Sequence, residues 1–213
     1  FAGVPMWAYD SEGKKIGESR TFDSDKLFQL TGIRERRRCA EDEWPSDMGY
    51  HASVRALEMA GVSADSLVGI VVASVTERQN FPDAAKKIQL RLGARNVQMT
   101  YDVNNACAGS PTALIQANAL SRDFEGNWLV VASECLPKIN DYTDINSHLF
   151  GSGAGAVVCS HTNQERGIVG IYSRSEPFDG NINMIFKDKA KDCIRMPDGR
   201  AVLKVAVESM VNS

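Results

Sequence analysis

One cysteine of this sequence lies where a nucleophilic thiol is expected. Cys107 falls between a strand pattern that ends at Val103 and an apolar helix pattern that begins at Pro111, and its neighbours are small. Backbone N–H groups in the first turn of a helix have no intrahelical partner and carry the positive end of the helix dipole, so they favour a thiolate. This spacing predicts a nucleophile at Cys107. The alternative is a small buried side chain, because free cysteines are most often buried.

The elements that would position this thiol alternate along the chain. The predicted helices are 46–60, 82–92 and 111–122, and the predicted strands are 67–74, 96–103 and 128–133. Continuous β-branched runs, rather than alternating ones, are typical of parallel strands that are covered on both faces. We therefore expect β-α-β units in a layered α/β domain. Beyond residue 150, the patterns predict a strand pair at 154–159 and 167–173, an irregular loop at 176–197 and an amphipathic helix at 201–210.

Composition excludes several classes of protein. The 213 residues are 43% hydrophobic, which suffices for a substantial core. A net charge of -3 and a pI near 5.7 argue against a nucleic-acid partner. No apolar run reaches the roughly 18 residues of a membrane span, and Phe1–Trp7 lacks the basic flank of a signal peptide, so we expect a cytoplasmic protein without a membrane partner. Because the chain begins with Phe rather than Met, we expect a fragment or a processed form.

The remaining residues of possible catalytic or metal-binding type show no motif. The five cysteines are dispersed without a C-x-x-C pair, and the three histidines have no metal-ligand spacing, so we predict reduced thiols and no metal site. His148 is the histidine least remote from a motif, but for all three we expect a surface or hydrogen-bonded histidine rather than a catalytic base. Gly151, Gly153 and Gly155 are spaced G-x-G-x-G before a strand pattern, which excludes a dinucleotide loop and predicts a close approach of backbones.

A family resemblance extends over much of the chain. Residues 101–110 are similar to the active-site elbow of the β-ketoacyl-acyl-carrier-protein synthase III family, and segments 31–37, 80–85, 150–158 and 196–207 resemble that family in the same order. The resemblance implies an α/β, thiolase-like fold: a layered α-β-α half with a mixed, mostly parallel sheet. It also implies that residues 1–213 are the N-terminal thiolase-like domain, that the C-terminal half is absent from this chain, and that the protein is a homodimer.

The resemblance further implies a reaction and the residues that carry it. Cys107 would take an acyl group from acyl-CoA or acyl carrier protein without a cofactor, and a carbanion from malonyl carrier protein would then attack it, in fatty acid or polyketide-like biosynthesis. Phe81 matches a phenylalanine that shapes the partner protomer's acyl pocket; a core aromatic is the alternative. Thr31 and Arg34 match a substrate-binding segment at the tunnel mouth, where the basic run 34–38 could meet phosphates or an acidic carrier protein; a solvated face is the alternative.

Some positions depart from the family pattern. Lys26, Leu30 and Ile145 stand where a tryptophan and two arginines bind adenine in relatives, and this weakens the case for a CoA donor. Ser152 replaces an aspartate. The family's catalytic histidine and asparagine motifs do not occur before Ser213. Two alternatives therefore stay open: an acyltransferase of the same fold, or a non-catalytic subunit that pairs with a complementary thiolase-like chain.

Overall fold

The computed structural model describes residues 3–10, 12–164, 166–175, 186–188, 192–196 and 198–211. Contacts divide the chain into two compact units, one formed by residues 1–37, 136–151 and 172–213, and the other by residues 38–135 and 152–171. In chain order, the elements are β1 (Met6–Tyr9), β2 (Lys15–Arg20), α1 (Ser24–Thr31), α2 (Pro45–Ala60), β3 (Leu67–Ala73), α3 (Ala84–Leu92), β4 (Met99–Val103), α4 (Gly109–Leu120), β5 (Asn127–Cys135), β6 (Ser152–Ser160), β7 (Phe186–Asp188), β8 (Cys193–Arg195) and α5 (Gly199–Val211). None of the helices in these ranges is long and apolar enough to cross a membrane.

The second unit is built on a four-stranded sheet of order β4-β3-β5-β6. The strands β4 and β5 run parallel to β3 on either side, and β6 is antiparallel to β5. The carboxyl ends of three strands therefore meet at one edge, where β4 leads into the Cys107 segment. The predicted α/β class with a mixed, mostly parallel sheet is confirmed.

Helices cover both faces of this sheet. Alternate side chains of β3 point to opposite faces, as in any strand. Ile70 and Val72 pack with α2 and α3 in one core cluster, whereas Val71 packs with α4 in another. Trp128, which is fully buried, belongs to the α4 cluster. The result is the α-β-α layering that the family resemblance implied.

Two predictions for the later part of the chain need correction. Residues 167–173 form no strand, so the predicted pair with 154–159 is wrong. Instead, β6 pairs with β5 along its whole length, because a neighbouring strand already present in the sheet satisfies its backbone groups. The predicted loop 176–197 lies partly outside the described residues, and its described parts contain the antiparallel strands β7 and β8.

Helix ends also differ from the sequence pattern by a few residues. The helix predicted from Pro82 begins at Ala84, because Asp83 is its N-cap and accepts a hydrogen bond from the Lys86 N–H. The helix predicted from Pro111 begins at Gly109, directly after the turn that contains Cys107. The nucleophile candidate is thus closer to the helix start than the sequence pattern placed it.

Candidate active site

Cys107 lies in a short 3-10 turn, Ala106–Ala108, that joins β4 to α4. Its side chain is exposed, so the alternative of a buried cysteine is wrong. The preceding Ala106 has a φ of 43°, a left-handed conformation that non-glycine residues rarely adopt. The backbone therefore makes a strained bend directly before the thiol and presents it at the N-terminal end of α4.

Close packing holds the start of α4 against the sheet. Gly109 is buried, and a Cβ at this position would lie 3.1 Å from the Cβ of Ala73 in β3. Ala113, one turn later, is fully buried on the same helix face. On the solvent side, the Nδ2 group of Asn105 donates a hydrogen bond of 2.8 Å to Oγ1 of Thr112. The bend that carries Cys107 is therefore fixed by packing on its sheet side and by a hydrogen bond on its solvent side.

An exposed thiol at the N-terminal end of a helix suits covalent catalysis. The first N–H groups of the helix point toward this end and stabilise negative charge there. They can stabilise the oxyanion that forms when the sulfur attacks a carbonyl. A thioester formed on the cysteine remains reactive enough for a second attack. The arrangement can therefore accept an acyl group and pass it on.

Glu134, near the end of β5, fixes the loop that follows β3. Its carboxylate accepts the Val75 N–H at 2.8 Å and the hydroxyl of Thr76. Burial raises the pKa of Glu134, although these hydrogen bonds act in the opposite direction. The sequence reasoning missed this residue. The available signal was a single acidic residue inside an otherwise apolar strand pattern.

Asp102, in β4, holds the start of α3. Its two carboxylate oxygens accept the N–H groups of Ala84 and Ala85, each at 2.9 Å. Burial raises the pKa of Asp102, the two hydrogen bonds lower it, and the charges of Asp83 and Glu77 raise it further. The sequence reasoning missed this residue too, because its partners come from a helix that precedes it in the chain.

Phe81 lies in the loop between β3 and α3, in the same unit as Cys107. Its side chain is 92% exposed, so the alternative of a core aromatic is wrong. Its role in an acyl pocket stays a prediction.

Thr31 and Arg34 belong to the other unit, where they line one cavity of about 110 Å³. The Thr31 hydroxyl donates to the Leu27 carbonyl at 2.8 Å and accepts the Ile33 N–H at 3.1 Å, so it also ends helix α1. The Arg34 guanidinium lies 3.9 Å from the ring centre of Phe28. The basic run thus combines an exposed cation with an aromatic contact, and its role in substrate binding stays a prediction.

The three histidines occupy different settings. His51 on α2 and His161 after β6 are exposed, as expected. His148 is half-buried and lines the same cavity as Thr31 and Arg34. Burial and the nearby charge of Arg36 lower the pKa of His148, which favours the neutral imidazole.

Local contacts explain some of the positions at which the sequence departs from the family pattern. Ser152 begins β6, and its Oγ accepts the Cys39 N–H at 3.1 Å, so a serine satisfies a backbone donor there. The predicted close approach of backbones holds at Gly151, where an added Cβ would lie 3.4 Å from the Arg37 carbonyl oxygen. It is wrong for Gly153 and Gly155, which have no described atom within 4 Å of an added Cβ. Lys26 and Leu30 are exposed on α1, where neither offers a stacking platform for an adenine ring.

Comparison with known proteins agrees with this geometry. The sequence profile of 3-oxoacyl-[acyl-carrier-protein (ACP)] synthase III matches residues 101–177, a range that begins in β4 and includes Cys107. The β-ketoacyl-[acyl-carrier-protein] synthase III of Staphylococcus saprophyticus is 37% identical over 206 residues, and the alignment covers 92% of this chain and 64% of that protein. For the enzyme of Geobacillus kaustophilus, the identity is 40% over 202 residues, with 90% and 63% covered.

Solved structures show the same likeness. The crystal structure of 3-oxoacyl-[acyl-carrier-protein] synthase III from Aquifex aeolicus matches with a TM-score of 0.80 and 32% identity, over 89% of this chain and 60% of that one. The priming β-ketosynthase of the R1128 polyketide pathway matches with a TM-score of 0.73 and 33% identity, over 90% and 60%. The chain spans a little under two thirds of the length of these relatives. It belongs to the β-ketoacyl-acyl-carrier-protein synthase III family of thiolase-fold proteins.

Proposed function

We propose that the protein is an acyl-thioester condensing enzyme in which Cys107 carries the acyl group. The observation that carries this proposal is the exposed thiol in the strained turn at the start of α4. The Cys107 thiolate attacks the carbonyl carbon of an acyl thioester, and the tetrahedral intermediate expels the donor thiolate. N–H groups at the helix start stabilise the oxyanion of this intermediate. The product is an acyl-enzyme thioester.

The second half-reaction forms a carbon–carbon bond. Malonyl carrier protein loses carbon dioxide, and the resulting carbanion attacks the acyl-enzyme carbonyl. The Cys107 thiolate then leaves, and a 3-oxoacyl carrier protein is released. The decarboxylation requires hydrogen-bond donors to the malonyl carbonyl, and the family resemblance assigns these to histidine and asparagine motifs that this sequence does not contain. A complete reaction by this chain therefore requires residues from elsewhere, in a longer protein or a complementary chain.

The acyl donor and the partners are part of the same proposal. The exposed guanidinium of Arg34 and the cavity that it shares with Thr31 suit an anionic substrate or the acidic surface of an acyl carrier protein. The absence of a stacking residue at Lys26 and Leu30 favours a carrier-bound donor over CoA. Phe81 would contact the acyl chain, in its own protomer or across a homodimer.

A test of the acyl-enzyme uses the thiol itself. We expect the unmodified protein to gain the mass of one acyl group when it is incubated with acyl carrier protein thioester, and we expect Cys107→Ser to gain none under the same conditions. Cys39→Ser is the matched control and should behave like the unmodified protein. Intact mass spectrometry measures both.

Malonyl carrier protein then distinguishes the reactions. Release of 3-oxoacyl carrier protein supports condensation, whereas transfer of the acyl group to a hydroxyl or amine acceptor supports the acyltransferase alternative. If well-folded protein takes up no acyl group from acyl carrier protein thioester or from acyl-CoA, the proposal is wrong and a non-catalytic subunit is the better interpretation.

A further inference from the structure

The strand that leads to Cys107 has two chemically different faces. Tyr101 and Val103 pack with α4 in an apolar cluster. Thr100 and Asp102, which alternate with them, contact α3 instead. The strand β4 therefore connects two elements at once: the helix that begins beside the thiol, and the helix that begins just after Phe81.

Asp102 makes the stronger of the contacts with α3. Each of its oxygens accepts one backbone N–H from the first turn of the helix, at 2.9 Å from Ala84 and from Ala85. A carboxylate at this end also opposes the positive end of the helix dipole. Hydrogen bonds to a charged acceptor are about twice as strong as neutral ones.

Helix α3 has its own cap in addition. Asp83 is the ordinary N-cap residue, and its Oδ1 accepts the Lys86 N–H at 2.8 Å. Because Asp83 belongs to the helix segment itself, it stabilises α3 without connecting it to the sheet. Asp102 satisfies donors of the same turn from a different strand, so it stabilises α3 and also fixes its place.

We infer that Asp102 is a positioning residue that fixes the start of α3 and with it the loop that carries Phe81, and thereby the acyl-chain selectivity of the pocket that this ring lines. The inference rests on the proposed function for the role of Phe81. Asp102 acts through the backbone of Ala84 and Ala85, and it does not contact the reacting atoms. No other described side chain accepts hydrogen bonds from both of these N–H groups.

The substitution that tests this role is Asp102→Asn. Asparagine keeps one oxygen and places an NH₂ group where the second acceptor was, so one N–H of α3 loses its partner. The loss of a charge-assisted hydrogen bond is large enough for about a tenfold change in a rate ratio. We expect the ratio of acyl-enzyme formation from a long-chain and a short-chain acyl carrier protein to change by about that factor. The rate of Cys107 alkylation by iodoacetamide should stay within about twofold, because α4 is not touched.

Asp83→Ala is the matched control. It removes the N-cap acceptor of the Lys86 N–H and so weakens the same helix end, but it leaves the connection to β4 in place. The selectivity ratio of this variant should therefore stay within about twofold of the unmodified protein. If both variants change the ratio equally, or if neither does, the inference is overturned and Asp102 only stabilises the helix.

Hydrogen exchange separates this inference from the proposed function. If the unmodified protein takes up no acyl group, the proposed function fails, and the inference is then decided by exchange in residues 75–82. Asp102→Asn should increase exchange in this loop, and Asp83→Ala should not. Equal exchange in the two variants would overturn it.

Discussion

At the scale of single residues, the bend before Cys107 depends on a backbone conformation that alanine adopts at a cost. A left-handed φ costs a non-glycine residue about 1–2 kcal/mol, and glycine removes most of this cost. We therefore expect Ala106→Gly to raise the free energy of unfolding by about 1 kcal/mol. Urea denaturation at equilibrium measures the change.

The same substitution inside a helix should have the opposite sign. Ala119 is exposed in the last turn of α4 and has no positive φ, so Ala119→Gly should lower the free energy of unfolding by about 0.5 kcal/mol. If Ala106→Gly is as destabilising as Ala119→Gly, the bend before Cys107 stores no strain.

The sequence predicted a residue of the site where the elements around it are consecutive in the chain, and it missed residues whose partners lie far away in sequence. Cys107 could be located because its strand, turn and helix are consecutive in the chain. The left-handed Ala106 could not, since only a glycine or asparagine at that position would have indicated it. Asp102 and Glu134 were missed because their backbone donors lie in a helix and in a loop, respectively, that are distant in sequence. Their acidic side chains inside strand patterns become informative only when the neighbouring element is known.

At the scale of elements, the parallel strands approach closely at one glycine. A Cβ on Gly69 in β3 would lie 2.2 Å from a ring carbon of Trp128 in β5. Trp128 is fully buried, and its Nε1 donates to the Phe124 carbonyl at 3.1 Å, so its ring has no free space to move. We expect Gly69→Ala to destabilise the protein by about 3 kcal/mol, the upper end of the usual range for overpacking.

A glycine on an open strand position provides the comparison. Gly153 in β6 has no described atom within 4 Å of an added Cβ, so Gly153→Ala should leave the urea midpoint unchanged or raise it slightly. Urea denaturation compares the two variants, and an unchanged dependence of the unfolding free energy on urea concentration shows that unfolding stays two-state. A loss in Gly69→Ala no larger than in Gly153→Ala would contradict the close packing of β3 on β5.

Element predictions succeeded where the pattern itself determines the structure. The buried runs of β3 and β5 are apolar because both faces are covered, and the helices α2 and α3 end at recognisable signals, Gly61 and Gly93. The strand predicted at 167–173 failed, because an apolar run becomes a strand only when another strand offers it an edge. Pairing of this kind is a property of the sheet, and the local sequence does not contain it.

At the scale of the whole molecule, the family and the layered fold agree with the sequence resemblance, whereas the assembly of the chain with a second chain stays a prediction. The chain covers 64% of the Staphylococcus saprophyticus relative, so the reaction, its substrates and its partners remain proposals. The homodimer, the cytoplasmic location and the interpretation of residues 1–213 as one N-terminal domain stay predictions. A buried ionic network in the first unit nevertheless allows a quantitative test of stability.

This network centres on Arg195 and Asp141. Arg195 is 1% exposed; its Nε and Nη2 groups lie 3.0 Å from Oδ2 of Asp141, and its Nη1 donates to the Gly13 carbonyl at 2.9 Å. Burial alone would raise the pKa of Asp141, but hydrogen bonds from Thr143 and Arg195 hold it below the ordinary value. Asp144, close by, has a pKa that burial raises.

Asp141→Asn should therefore destabilise the protein in a pH-dependent way. It removes the negative charge that pairs with the buried Arg195 guanidinium, and we expect a loss of about 3 kcal/mol at pH 7, a modest value for a buried pair because 11% of the Asp141 side chain is exposed. A carboxyl whose pKa is lowered on folding stabilises the protein above its unfolded pKa, about 3.9, and loses this contribution as the pH falls through the folded value. Urea curves should thus show the difference between unmodified protein and variant shrinking below about pH 4. Asp144→Asn should show the opposite pH dependence, because a carboxyl whose pKa is raised on folding contributes most to stability at low pH. The difference in free energy of unfolding between unmodified protein and Asp144→Asn should therefore change in favour of the unmodified protein as the pH falls. If both variants show the same trend with pH, the opposite pKa shifts of Asp141 and Asp144 are wrong.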